Sequence, residues 1–144
     1  MYIKSAKELD AYKLAYDQAM EIFFLSKKFP NDERYSLTDQ IRRSSRSVCA
    51  NLKESWSKRR YITHFISKIT DCDGENSETA TWIDFSKNCN YITNTKHEEL
   101  IEKNKRIGQM LGNIINKAEL FCKNNRPRIS DNGLRANNYK AMNK

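Results

Sequence analysis

At 144 residues, with 38% hydrophobic content, four glycines and two prolines, the chain has room for one domain and little of the punctuation that many short strands need. No run approaches the roughly 18 apolar residues of a membrane span and the N-terminus lacks an apolar signal core, so a soluble, cytoplasmic protein is expected. A formal net charge of +8 favours polyanionic partners, RNA, DNA or an anionic membrane, without choosing among them.

Residues 1–8 read as a short lead-in. Leu9, Tyr12, Tyr16, Ala19 and Phe23 then mark one stripe of a first helix running to about Lys28, and Leu14, Met20, Phe24 and Leu25 widen its apolar surface. A helix apolar on more than one side lies central in its bundle or meets another subunit, and the subunit reading is favoured here. Phe29-Pro30-Asn31-Asp32 ends it, because proline donates no backbone hydrogen bond and disfavours helix before it.

The second helix, from Leu37 to about Ser57, carries Leu37, Ile41, Ser44, Val48, Leu52 and Ser55 on one face. Between Leu37 and Tyr61 seven cations, Arg42, Arg43, Arg46, Lys53, Lys58, Arg59 and Arg60, stand against Asp39 and Glu54. Most of the chain's net charge therefore lies in this one segment. From about Tyr61 to Tyr91, Ile62, Phe65, Ile69, Cys72, Asn76, Thr79 and Ile83 keep helical register, with Gly74 expected to weaken it locally. After a loop at Thr93 to Lys96, Leu100, Ile107, Leu111, Ile114, Ala118 and Phe121 form a heptad-like stripe on a fourth helix. The expected architecture is all-α, an up-down-up-down antiparallel four-helix bundle over 9–123, followed by a basic disordered tail over 124–144 that includes Arg126 and Arg128.

Phe29-Pro30, Glu33 through Arg43, Ser47 through Glu54, and later Phe65-Ile66-Ser67-Lys68, Asp73 through Thr79, Trp82 and Asp84-Phe85 resemble the signature of the bacterial 23S rRNA intervening-sequence proteins. The resemblance spans roughly Leu9 to Phe121. It implies a small helical subunit that assembles into a ring, taken as a homopentamer, without enzymatic activity. The related accessory variability proteins of diversity-generating retroelements have the same kind of bundle and bind nucleic acid and a reverse transcriptase. Those partners are implied for this chain if it belongs to that branch, and the motifs do not choose between it and the intervening-sequence branch. Cys49 stands where the family usually has proline, and Lys53 and Ser55 replace the usual alanine and glycine. A kink in the middle of the second helix is therefore not expected.

If the second and third helices turn near Lys58 and Arg59, Arg46 sits level with Asp71, and Arg42 and Arg43 with Glu75 and Gly74. Pairing of Arg43 and Arg46 with such carboxylates, within or between subunits, is then expected. Arg43, Arg46, Asn51, Glu54, Asp71, Glu75 and Glu78, with Asn76 among them, read as a structural polar layer inside the bundle or at a subunit seam. Arg42, Lys53, Lys58, Arg59, Arg60, Arg126 and Arg128 are the candidates for phosphate contact, with Trp56 and Tyr61 placed to stack on unpaired bases. Plain solvation of a charge run, and a bundle role for Trp56, are the competing readings.

Neither His64 nor His97 has a glutamate three residues before it, so the di-iron bundle motif is absent and no metal or cofactor is expected. The four cysteines have no CxxC pair and read as reduced, mostly buried thiols. No phosphate loop or nucleophile elbow is present, so an enzyme is not expected. Two functions remain: a non-enzymatic homo-oligomeric nucleic-acid-binding bundle acting as an accessory factor, or a protein-interaction scaffold that does not touch nucleic acid.

Overall fold

Each long helix is held in place by the face it turns to its neighbours. In the computed structural model, which describes residues 5–122, four helices follow one another: α1 (Asp10–Ser26), α2 (Leu37–Ser57), α3 (Ile62–Asn88) and α4 (Asn94–Asn116), with a last short turn α5 (Ala118–Cys122). Helix α1 packs on α2 and α4, and α3 packs on the same two from the other side. Ser44 with Thr79 and Asn51 with Lys68, Asn76 with Asn104 and Asp84 with His97, and Asp17 with Lys103 and Glu21 with Lys96 show α2–α3, α3–α4 and α1–α4 running antiparallel. Ser26 with Arg42 joins the end of α1 to the first half of α2, which makes the bundle up-down-up-down. Among the described residues no helix is long and apolar enough to cross a membrane.

The three-and-four spacing read along α3 is the buried stripe itself. Ile62, Phe65, Ile69, Cys72, Asn76, Thr79 and Ile83 are all buried, and Ser86 extends the row. Gly74 does not interrupt this helix, because the turns on either side are anchored by Cys72 and Asn76. Its end is chemical: Asn90 adopts φ 63°, and the N–H groups of Asn90 and Tyr91 bond to Lys87 and Ser86 carbonyls at 2.9 Å each. That is a Schellman closure with asparagine in the left-handed position. Thr93 opens α4 by accepting a hydrogen bond from the Lys96 N–H at 3.1 Å.

Helix α2 is continuous, as expected for a chain with Cys49 in place of proline, and its buried row includes Leu37, Ile41, Ser44, Val48, Leu52 and Ser55. Helix α1 differs from expectation. Its buried face is Ala11, Ala15, Gln18, Ala19, Ile22 and Ser26, whereas Tyr16 is 54% and Phe24 57% exposed. Small residues let α1 approach its neighbours closely, and the large apolar side chains are left at the flank and outside.

The interior has two apolar halves with a polar layer between them. One half gathers Val48, Leu52, Phe65, Ile69, Ile107 and Leu111, and the other Ile22, Phe29, Leu37, Ile41, Ile83 and Leu100. Between them the Gln18 amide donates to Asn76 at 3.3 Å, the Asn104 amide donates to Gln18 at 3.0 Å, and the Asn76 amide donates to the Asn104 carbonyl at 2.9 Å. Beside this triad Thr79 donates to Ser44 at 2.8 Å. These residues are nearly inaccessible to water, so every unmade bond here would carry a desolvation cost.

Cys49, Cys72 and Cys122 are buried free thiols and Cys89 is exposed. Burial pushes Cys49 up to about 11 and Cys72 to about 12.

Candidate nucleic-acid interface

The cations of α2 divide by their position around and along the helix. Arg42 and Arg46, four residues apart, share the side of α2 that meets α1. The Arg42 Nε donates to Ser26 Oγ at 2.7 Å, and the Arg42 and Arg46 guanidiniums lie 5.0 and 5.5 Å from the Phe23 ring centroid. Lys27 approaches the same ring at 4.8 Å. Three cations thus gather around one aromatic ring, an arrangement that restrains their positions without an ion pair among the described residues.

Arg42, Arg43 and Arg46 join Arg34, Tyr35, Thr38 and Asp39 around a groove of about 290 Å³ at the start of α2. Tyr35 is 82% exposed, with the Arg34 guanidinium 5.3 Å from its ring. Among the described residues the ion pairs use Lys68, Lys96 and Lys103, His97 bonds to Asp84, and none of these four arginines takes part. The expected pairing of Arg43 and Arg46 with α3 carboxylates is therefore absent among the described residues of the chain. Two reasons account for it. Ser44 bonds to Thr79, six residues further along α3 than the assumed turn would place it, and Arg46 faces α1 rather than α3.

At the far end of α2, Lys58 and Arg60 are exposed, and Arg60 lies 5.8 Å from the exposed ring of Tyr61. Arg59 donates to the Trp56 carbonyl at 3.0 Å and covers the Trp56 ring at 3.8 Å. Trp56 also packs edge-on against Phe121 at 6.1 Å, so it is a bundle residue rather than an open stacking platform. Lys53 is exposed about one turn before the end of α2. Arg126 and Arg128, with the expected tail, lie outside the described residues.

The polar layer expected from Arg43, Arg46, Asn51, Glu54, Asp71, Glu75 and Glu78 is not the layer inside this bundle. Arg43, Arg46, Glu54, Asp71 and Glu78 are exposed, because the interior positions at those heights belong to Ser44, Leu52, Cys72, Asn76 and Thr79. Three of the seven still meet: Lys68 bonds to Asn51 at 3.3 Å and bridges Glu54 at 3.2 Å and Asp71 at 3.6 Å. The Glu54 hydrogen bond, aided by the charges of Glu54 and Asp71 and opposed by partial desolvation, holds the Lys68 ammonium above the usual lysine range. Glu78 accepts from the Trp82 indole at 3.3 Å, and the half-buried Glu75 contributes its carbonyl to Thr79. Asn76 is the one residue of the sequence-derived cluster that enters the true interior layer. Its partner Asn104 had a sequence signal, a polar residue at the core position between Leu100 and Ile107, and Gln18 had none.

A model of the 23S rRNA-intervening sequence proteins matches residues 7–113, most of the bundle. The chain belongs to that family. A crystal structure of a protein of unknown function from the S23 ribosomal protein family of Bacteroides thetaiotaomicron is similar at 26% identity and a TM-score of 0.66, covering 74% of this chain and 95% of that one. No curated protein matches the chain. In this family member the departures at Cys49, Lys53 and Ser55 are absorbed differently. Cys49 and Ser55 are buried, Ser55 donating to the Leu52 carbonyl at 2.5 Å, whereas Lys53 projects into solvent and adds to the cationic side.

Proposed function

We infer that this intervening-sequence family member is a non-catalytic, homo-oligomeric nucleic-acid-binding bundle, an accessory factor whose α2 helices present arginines to phosphate. The observation that carries the reading is the groove bordered by Arg34, Arg42, Arg43 and Arg46, four guanidiniums with one carboxylate, Asp39, and no ion pair among the described residues. Such a field binds phosphate through charge and releases counterions, giving affinity that falls steeply with salt. The family's name ties its members to 23S rRNA, which favours RNA as the ligand. Repeating the groove in several subunits multiplies weak contacts into strong binding.

The test is binding of the full chain to a labelled structured RNA and to a matched DNA duplex across a salt series, with mass measured in the same buffer. The expected result is an oligomer with a steep negative slope of log affinity against log salt. A folded protein that binds neither at low salt would overturn the reading.

A second reading, a scaffold for a partner protein, is favoured by the exposed row Tyr16, Met20 and Phe24 on α1. Large apolar side chains grouped on one helix face suit protein contact better than phosphate. The same row serves the first reading as a contact between copies of the chain.

A further inference from the structure

The two ends of α2 differ in what surrounds their cations. Lys58 and Arg60 stand exposed at the helix end, whereas the arginines at its start border a groove with an aromatic ring, a hydroxyl and a carboxylate. A volume of about 290 Å³ is at the lower limit of pockets that hold small molecules, roughly 300 Å³. It is of the order of one nucleotide unit.

We propose that this groove seats one unpaired nucleotide of RNA, with its phosphate on Arg43 and Arg46, its ribose 2′-hydroxyl on Asp39 and its base on Tyr35. The proposal rests on the nucleic-acid reading above and specifies which form of nucleic acid the site takes. Arg43 and Arg46 offer forked donors that match phosphate oxygens, and the Phe23 ring holds Arg46 in position before any ligand arrives. Arg42 is anchored by Ser26 and Phe23, so its charge is presented at little further cost in side-chain freedom.

Tyr35 is the most exposed large apolar residue among those described. It lies immediately before α2, with Arg34 over its ring. A ring so placed is available to a base that has left its stack, and bases inside a duplex are not so available. Asp39 would oppose a phosphate bound next to it, which moves the phosphate toward Arg43 and Arg46, one and two helical turns further along. A carboxylate can accept from base N–H groups or from a sugar hydroxyl, and with the base laid on Tyr35 what falls to Asp39 is the hydroxyl. RNA supplies it at the 2′ position and DNA does not.

The experiment compares an unstructured labelled oligouridylate, the deoxy oligomer of matching length and a blunt RNA duplex, using fluorescence anisotropy with the full chain. Wild type is expected to prefer the single-stranded RNA. Tyr35→Ala lowers its affinity for that strand about tenfold while leaving duplex binding little changed. Arg43→Ala with Arg46→Ala reduces the salt slope by about 0.7 for each phosphate no longer neutralised. Asp39→Asn narrows the RNA-to-DNA ratio. All four side chains are exposed, and retained helical circular dichroism separates a binding defect from a folding defect. Single-strand binding that is indifferent to Tyr35→Ala and to the paired arginine change, but abolished by Lys58→Ala with Arg60→Ala, overturns this seat and leaves the nucleic-acid reading standing. Absence of binding to all three probes at low salt overturns both.

Discussion

Asn76 and Asn104 each use side-chain donors and acceptors against the other, and Gln18 closes the triad from α1. Because the three side chains are almost fully buried, replacing one strands the partners of the others. Asn76→Leu is expected to cost about 1–3 kcal/mol, read as a lower urea midpoint with an unchanged slope. Replacing all three together, Gln18→Met, Asn76→Leu and Asn104→Leu, removes the unsatisfied groups and should recover much of that stability. A triple variant less stable than Asn76→Leu would show that the amides contribute net stability rather than alignment of the helices.

At the scale of elements, α1 and α4 are joined by a short row of ion pairs at their outer edge. Lys103 bridges Asp17 at 2.6 Å and Glu21 at 2.7 Å, and Lys96 joins Glu21 at 3.4 Å and Glu99 at 2.9 Å. Desolvation pulls the Lys103 ammonium down, but its hydrogen bonds to the two carboxylates outweigh it and hold the group above its ordinary value. A raised folded-state value means the contribution is fully present below the unfolded value of 10.5 and is lost as pH rises through the folded one. The Lys103 share of the urea midpoint is therefore expected to fall only as pH rises above 10.5, and Lys103→Met should flatten the fall there. Burial of Cys49 and Cys72 raises both thiols above 9.0, and their share begins to be lost at a lower pH and persists in the variant. A variant whose pH profile is superimposable on wild type would remove Lys103 from the account. The bridge spans partly exposed groups, so its removal at neutral pH should cost only about 1 kcal/mol or less.

For the whole molecule, the row Tyr16, Met20 and Phe24 recurs every fourth residue and remains outside the bundle. If copies of the chain meet there, Met20→Asp with Phe24→Asp yields a smaller species by mass with helicity retained, and the salt slope of RNA binding drops toward that of one subunit. An unchanged mass would place any assembly surface elsewhere. The stripes of α2, α3 and α4 were legible in the sequence, since a face buried against two neighbours must repeat every three or four residues whatever the partner. So were the continuous α2, the concentration of charge upon it and the resemblance that the family match bears out. The buried side of α1 was not legible, because Ala11, Ala15 and Ala19 are chosen for close approach, and small residues give a weak apolar signal beside Tyr16 and Phe24. Nor was the pairing of Arg46, whose height along α2 follows from numbering but whose direction around it depends on how α1 packs. Which residues are helical and which helix is cationic are local properties of the chain, and they could be read along it residue by residue. That Gln18 completes the buried layer, and that the Arg34, Arg42, Arg43 and Arg46 groove opens beside Tyr35, emerged with the packed bundle, because contacts between separate elements depend on rotation and register that no single stripe encodes.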